Sequence, residues 1–273
     1  MNFKNTEVWG FEHAFRGMRN PMNSGNKSDS YSRKCIFDKE EFEEAKNDGN
    51  ISQDAIWEDF LVRSDEQYQA NPFVIGKKDL ELAQKLIKAG AEHRKFMRQI
   101  FVSVDITAPL FWWKEFDTYK VGTVANSTST MHKLATTPIT IDCFETDDCD
   151  FSLSCEKQFK TFTQVESVED FVINSSDCFS LIDFLESLRQ KYLETKDKRY
   201  WKELIRWLPE SWLQTRTVTL TYENLLAMCS KGQRRFHKLN EWSGQDKPEC
   251  ENFISWARKL PYTQELIFLD EIE

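Results

Sequence analysis

The chain has 273 residues and a formal net charge of −9, from 36 Lys and Arg against 45 Asp and Glu. This acidic balance argues against generic nucleic-acid binding, because duplex affinity depends on clustered basic side chains that neutralise phosphates. Hydrophobic residues make up 40% of the chain and aromatic residues 14%, which excludes a disordered protein. Length and composition together predict one globular domain over residues 1–273.

Targeting signals and the cysteine pattern indicate where in the cell the protein is expected. No apolar run approaches the roughly 18 residues of a membrane-spanning helix, and the first ten residues lack the apolar stretch of a signal peptide. The seven cysteines form no CxxC pair, which is typical of reduced thiols rather than of disulfides or a zinc site. We therefore expect a cytoplasmic protein with no membrane partner and no bound metal.

The N-terminal region predicts a strand and then a polar loop. Residues 8–16 favour a short strand, and the stretch near 20–33 is dense in Asn, Ser and Gly. Donors such as Arg16, Arg19 and Lys27 would suit a phosphate or a carboxylate of a partner. A solvated connector explains the same residues equally well.

Periodicity predicts the remaining elements. Apolar side chains at helical spacing indicate a helix over 77–90, and the alternation in 100–106 indicates a half-buried strand. A helix rich in aromatics begins directly after Pro109. Further helices are expected at 180–194, 199–208, 222–239 and 249–260, with a short strand at 217–220. The fold class is therefore α+β and rich in helix.

Two segments depart from this regular pattern. Residues 38–70 predict helix in pieces and end before Asn71-Pro72, where the proline disfavours a helical predecessor. The stretch near 140–178 is acidic and weakly periodic, which is typical of a surface insertion.

The chain lacks a Walker loop and the GxGxxG, HExxH and GxSxG motifs, which removes several common enzyme classes. The most unusual segment is 108–134, where the aromatic helix runs into Gly122 and the loop ANSTSTMH. Small hydroxylated residues of such a loop let backbone N–H groups approach a phosphate. A buried helix followed by an ordinary Ser/Thr loop is the alternative interpretation.

A series of short motifs, taken with the order of the elements, links this chain to a known family. In chain order the motifs are Glu92-His93, Ala108-Pro109, the Ser/Thr/Asn loop, Leu208-Pro209, and Asn224 with Arg235 eleven residues later. Over about residues 78–265 this order resembles the flavin-dependent thymidylate synthases, the thymidylate synthase complementing class. The resemblance implies a helix-rich α+β single domain of that type. It also implies reductive methylation of dUMP to dTMP, with FAD and methylenetetrahydrofolate.

The resemblance further implies roles for particular side chains. Arg235 would be the catalytic group, polarising the uracil ring. The residues expected to bind the nucleotide are Asn224, Arg206, Ser127, Thr128 and Ser129. The residues expected to contact the flavin are His93, Thr118, Tyr119 and Lys120. His93 has an alternative reading as an ordinary histidine at a helix end.

Most signature charges of the family are substituted. Thr118-Tyr119-Lys120 stand where the family has Arg-His-Arg, and Thr130-Met131 stand where an Arg-Tyr pair holds the nucleotide phosphate. Charge-assisted contacts contribute about 1.5–3 kcal/mol each, so these losses weaken phosphate and flavin binding unless other cations compensate. The residues considered for compensation are Lys120, Lys133, Arg16 and Arg19.

Two interpretations of function follow. The first is a divergent FAD-dependent thymidylate synthase, and the second is a catalytically inactive homologue that binds a nucleotide or another protein. The resemblance implies a homotetramer, and the aromatic excess supports subunit faces that include Trp112, Trp113, Trp201 and Trp207.

Overall fold

The computed structural model describes residues 1–32, 73–147, 181–231 and 234–271, together with the single positions 43 and 47. The helical prediction for 38–70 and most of the insertion predicted near 140–178 therefore lie outside the described residues. The chain divides into two compact units, and the organisation as one domain stays a prediction. The first unit comprises Met1–Thr107, Glu115–Asn126 and Arg216–Glu273, and the second comprises Ala108–Lys114 and Ser127–Thr215.

The N-terminal elements differ from the sequence prediction. Strand β1 (Asn2–Trp9) ends before Gly10, and helix α1 (Phe11–Met18) begins directly after it. Gly10 has a φ of 101°, and a Cβ built there would lie 2.2 Å from the Gln99 carbonyl oxygen, so only glycine fits this junction. The prediction of a strand over 8–16 is wrong because the buried residues of 11–18 recur at helical spacing.

The other elements follow in chain order. Up to residue 147 they are β2 (Tyr31–Ser32), β3 (Phe73–Val74), α2 (Lys77–Lys88), β4 (Phe101–Pro109), α3 (Leu110–Phe116), β5 (Val124–Ser127) and α4 (Thr130–Lys133). From residue 181 they are α5 (Leu181–Thr195), α6 (Lys198–Arg206), β6 (Leu213–Thr221), α7 (Tyr222–Met228), α8 (Asn240–Ser243), α9 (Phe253–Arg258) and α10 (Thr263–Leu266). Most predicted helices are confirmed, but the one expected over 222–239 ends at Met228.

Within the described residues, the main sheet has four strands in the order β1-β4-β6-β5. Strand β1 pairs antiparallel with β4, from Asn2 opposite Thr107 to Trp9 opposite Phe101. Along β4 every second side chain is buried, so the half-buried strand that the alternation predicted is confirmed. Helices and sheet together confirm the α+β class.

An aromatic core fixes the helices of the first unit. Phe3 stacks on Trp256 with ring centroids 4.9 Å apart, and Phe11 meets Tyr222 edge to face at 5.4 Å. Tyr222, the first residue of α7, is fully buried and donates its hydroxyl to the Pro261 carbonyl at 2.5 Å. The contacts of Tyr222 fix the start of α7, and α7 carries Asn224, one of the residues predicted for the site.

The second unit has its own core. It is formed by Leu134, Ile139, Phe144, Leu185, Leu188 and Leu204. Trp112 and Trp113 belong to this unit and are fully buried, and the Trp113 indole donates to the Gln214 carbonyl at 2.9 Å. The expectation that these two tryptophans supply subunit faces is therefore wrong. Trp207, by contrast, is 41% exposed.

The polar loop near 20–33 is anchored to α2 by a buried carboxylate. Asp79 is fully buried, and its carboxylate accepts hydrogen bonds from Arg19 and from the hydroxyls of Ser28 (2.5 Å) and Ser30 (2.6 Å). Burial raises the pKa of Asp79, but these hydrogen bonds outweigh it and the net pKa is lowered. The charge of Arg19 is neutralised here, which removes this arginine from the residues considered for phosphate compensation.

Across the described ranges, no helix has both the length and the apolar character needed to cross a membrane.

Candidate functional site

Asn224 connects α7 to the segment predicted to meet the flavin. Its Oδ1 accepts hydrogen bonds from the Thr221 backbone N–H (3.0 Å) and hydroxyl (2.7 Å), which completes a capping box at the start of α7. Its Nδ2 donates to the Val121 carbonyl at 2.8 Å. Asn224 therefore fastens the turn after Thr118-Tyr119-Lys120 to the beginning of this helix.

The segment around His93 reaches the same helix start. Arg94 donates through Nε to both carboxylate oxygens of Glu223, at 3.0 and 3.2 Å. His93 itself is exposed. The structure thus brings three predicted segments together at the beginning of α7: the chain at His93, the turn near Lys120, and Asn224.

Arg235 lies at the opposite end of α7. Its Nε donates to the carbonyl of Cys229, the residue that caps the C-terminus of the helix, at 3.1 Å. A seven-residue helix rises about 10 Å. Asn224, predicted to bind the nucleotide, and Arg235, predicted to act on its uracil, therefore lie near opposite ends of α7.

The guanidinium of Arg235 is held by carboxylates from the C-terminal segment. Its two Nη atoms donate to both oxygens of Asp270, each at 2.7 Å, and one of them also donates to Glu271 at 2.9 Å. The residue is only 5% exposed. Four hydrogen bonds therefore occupy an arginine that the resemblance assigns to catalysis.

The groups around Arg235 have shifted pKa values. The hydrogen bond from Arg235 lowers the pKa of Asp270, and the hydrogen bond from Arg258 lowers the pKa of Glu271. Burial raises the pKa of the Cys229 thiol to about 12. A thiol with so high a pKa stays protonated at neutral pH, so Cys229 is not a nucleophile here.

Arg235 lines an open cleft of about 390 Å³ in the first unit, which we name the Arg235 cleft. Its volume lies within the range of small-molecule pockets. The other lining residues are Ile87, Lys88, Leu226, Ser230, Lys231, Ile267, Leu269 and Asp270. The cleft therefore has the size to admit a nucleotide.

The preceding residue, Arg234, belongs to a different environment. Its guanidinium donates to Glu115 at 2.5 Å and lies over the Tyr119 ring, 4.6 Å from the centroid. His237 Nε2 is 3.5 Å from the same Glu115 oxygen, and the His237 ring packs on Trp242 at 5.4 Å. These five residues form a set that we name the Glu115 cluster.

The Tyr119 hydroxyl is an exception within the Glu115 cluster. Its oxygen is buried and has no hydrogen-bond partner among the described residues. Sequence reasoning found Tyr119 but missed Glu115, Arg234 and His237. The adjacent arginines are visible in the sequence QRRF, but only the fold shows that they face different partners.

The remaining predicted residues belong to the second unit. Thr128 donates its backbone N–H and its hydroxyl to the Thr215 carbonyl, at 2.8 and 3.1 Å. Ser129 accepts a hydrogen bond from the His132 backbone at the start of α4. Ser127 is exposed at the end of β5, and Arg206 is exposed on α6, where it pairs with Glu203. Their binding roles stay predictions.

Comparison with known proteins identifies the fold. No protein-family profile matches the sequence, and no curated protein matches it significantly. One similar crystal structure is the flavin-dependent thymidylate synthase ThyX from Helicobacter pylori complexed with FAD and dUMP, with a TM-score of 0.53, 15% identity and 99% of both chains covered. A second structure of Helicobacter pylori ThyX with FAD and dUMP has a TM-score of 0.51 and 15% identity, and covers 99% of this chain and 98% of that chain. The fold predicted from the resemblance is confirmed.

Proposed function

We propose that this chain is a divergent flavin-dependent thymidylate synthase, which methylates dUMP reductively to dTMP with FAD and methylenetetrahydrofolate. The observation that carries the proposal is the fold match over 99% of the chain to proteins that bind FAD and dUMP. A cytoplasmic homotetramer belongs to the same proposal.

The residues of the first unit fit a flavin nucleotide. The Tyr119 hydroxyl is buried without a partner among the described residues, and a polar atom of a ligand would relieve the cost of that burial. His93 and Lys120 are exposed, so they can offer an imidazole and a cation. We assign the flavin to these three residues together with Thr118, and the bound flavin, once reduced, supplies the hydride.

Arg235 carries the electrostatic part of the proposed reaction. A planar guanidinium that stays charged can hold the carbonyl edge of a pyrimidine and draw electron density from the ring. For this role Arg235 must exchange at least one carboxylate oxygen of Asp270 for the ligand. Asn224 positions the turn near Lys120 beside α7, as its hydrogen bond to Val121 indicates.

The four hydrogen bonds of Arg235 within its own chain favour a second candidate function. If Asp270 and Glu271 remain on Arg235, that charge is not available to a pyrimidine, and the substituted Thr118-Tyr119-Lys120 triplet lacks the family's arginines. The chain would then be a catalytically inactive homologue that binds a nucleotide or another protein.

Two measurements on the purified full chain distinguish the candidates. Added FAD should be retained through gel filtration with a flavin absorbance spectrum, and reduced FAD with methylenetetrahydrofolate should convert dUMP to dTMP. The control variant Lys259→Met, an exposed lysine paired with Glu251, should retain both properties. Nucleotide binding without any dTMP formation would reject the enzyme and support the inactive homologue.

The assembly is tested separately by light scattering. A mass of four chains at micromolar concentration is expected. A strict monomer over that range would contradict the proposed homotetramer.

A further inference from the structure

The Arg235 cleft combines apolar walls with a cationic rim. Ile87, Leu226 and Ile267 contribute apolar lining, and Lys88 and Lys231 contribute ammonium groups. A ligand that fits this combination has a flat or apolar body and an anionic head. Nucleoside monophosphates meet both conditions, because a base can pack on aliphatic side chains while its phosphate meets lysines.

The cleft already holds an oxyanion from its own chain. Both carboxylate oxygens of Asp270 lie 2.7 Å from the Arg235 guanidinium, and one lies 4.0 Å from Lys231 Nζ. The hydrogen bond from Arg235, with the charges of Arg235 and Lys231, lowers the pKa of Asp270. The cations of the cleft therefore already bind the oxygens of an anionic group.

The lysines of the cleft offer positive charges that the sequence motif lacks. Thr130-Met131 stand where the resemblance places a phosphate-binding arginine, and Arg19 is paired with Asp79. Lys88 and Lys231 both line the cleft of the predicted catalytic residue and can supply positive charge there.

We infer that the Arg235 cleft binds a nucleoside monophosphate, with its phosphate on Lys88, Ser230 and Lys231, and that the ligand displaces Asp270 from Arg235. This inference rests on the proposed function and deepens it, since it names the side chains that receive the phosphate. Asp270 thus acts as an internal competitor of the nucleotide.

Calorimetry on the full chain tests this inference with dUMP and deoxyuridine as probes. The wild-type protein should bind dUMP about tenfold more tightly than deoxyuridine. One charge-assisted contact to the phosphate contributes enough binding free energy for that difference in affinity. Lys88→Met and Lys231→Met should each weaken dUMP binding about tenfold and leave the weaker deoxyuridine binding unchanged. Asp270→Asn should strengthen dUMP binding several-fold, because it removes the competing charge.

The control is Lys259→Met, which removes an exposed lysine of the same unit that does not line the cleft. Its dUMP affinity should equal that of the wild type. If the control and the cleft variants lost dUMP affinity equally, the change in overall charge would explain the loss. That result would overturn the inference.

The possible failures are distinguishable. Binding of dUMP that ignores both cleft lysines and Asp270 would overturn the inference and leave the proposed function standing. Lysine-dependent binding without dTMP formation would support the inference and reject the enzyme. Absence of dUMP binding by the wild type and by Asp270→Asn would overturn both.

Discussion

Arg234 and Arg235 are neighbours in the chain but face two regions of different character. In the Glu115 cluster, Arg234 is 30% exposed on its side chain and contacts one carboxylate and one aromatic face. In the Arg235 cleft, Arg235 is 5% exposed and is bound by two carboxylates and a backbone carbonyl. A motif residue such as Arg235 can therefore carry a charge that carboxylates of its own chain already bind.

The difference originates at the C-terminus. Asp270 and Glu271 lie in the last described turn and reach Arg235, while Glu271 also binds Arg258 at 2.5 Å. Arg235 and Arg258 both lie over the Phe268 ring, at 5.1 and 4.2 Å from its centroid. Arg235 thus also connects the C-terminal segment to the rest of the first unit. Substituting Arg235 therefore affects stability as well as binding.

The largest expected effect is on folding stability and comes from Arg235→Ala. This change leaves Asp270, Glu271 and the Cys229 carbonyl without their donor, which should lower the free energy of unfolding by about 3 kcal/mol. Arg234→Ala should cost about 1 kcal/mol, because its pair with Glu115 is partly solvated. Urea denaturation of both variants measures the difference, and equal losses would remove the contrast between the two regions.

A smaller effect is expected from acid. The pKa values of Asp270 and Glu271 are lowered from their ordinary 3.8 and 4.5, so their stabilising contribution is present above those values and is lost as the pH falls below them. Between pH 6 and pH 3 the wild type should therefore lose more stability than the double variant Asp270→Asn/Glu271→Gln. Parallel curves for the two proteins would show that pairing with Arg235 and Arg258 does not lower the pKa of these carboxylates.

The smallest effect concerns the orphan hydroxyl in the Glu115 cluster. Tyr119→Phe removes a buried oxygen that has no partner among the described residues, so it should raise the free energy of unfolding of the ligand-free protein by about 1 kcal/mol. Affinity for FAD should fall in the same variant if the hydroxyl meets the flavin. A destabilised Tyr119→Phe would show that the hydroxyl is satisfied in solution.

Periodicity was sufficient to predict much of the fold. The spacing of apolar residues predicted α2 and α5, and the alternation in β4 predicted its buried face. It failed at residues 8–16, where the left-handed Gly10 ends a strand and begins a helix inside one apolar stretch. Such a junction depends on the close approach of Gln99, which is distant in sequence.

The candidate site was less predictable for a related reason. The spacing of Asn224 and Arg235 identified both residues, but it does not encode that Asn224 lies in the first turn of α7 while Arg235 contacts the residue after its last turn. The carboxylate partners of Arg235 lie 35 and 36 residues later in the chain, and the carboxylate partner of Arg234 lies 119 residues earlier. Only tertiary packing brings these charges together.

The nucleotide is proposed to enter the Arg235 cleft in place of Asp270. A crystal structure of the full chain with bound dUMP decides this point. We expect phosphate oxygens about 3 Å from Lys231 Nζ, with the Asp270 carboxylate moved away from the Arg235 guanidinium. A dUMP molecule bound elsewhere, with both oxygens of Asp270 still on Arg235, would contradict it.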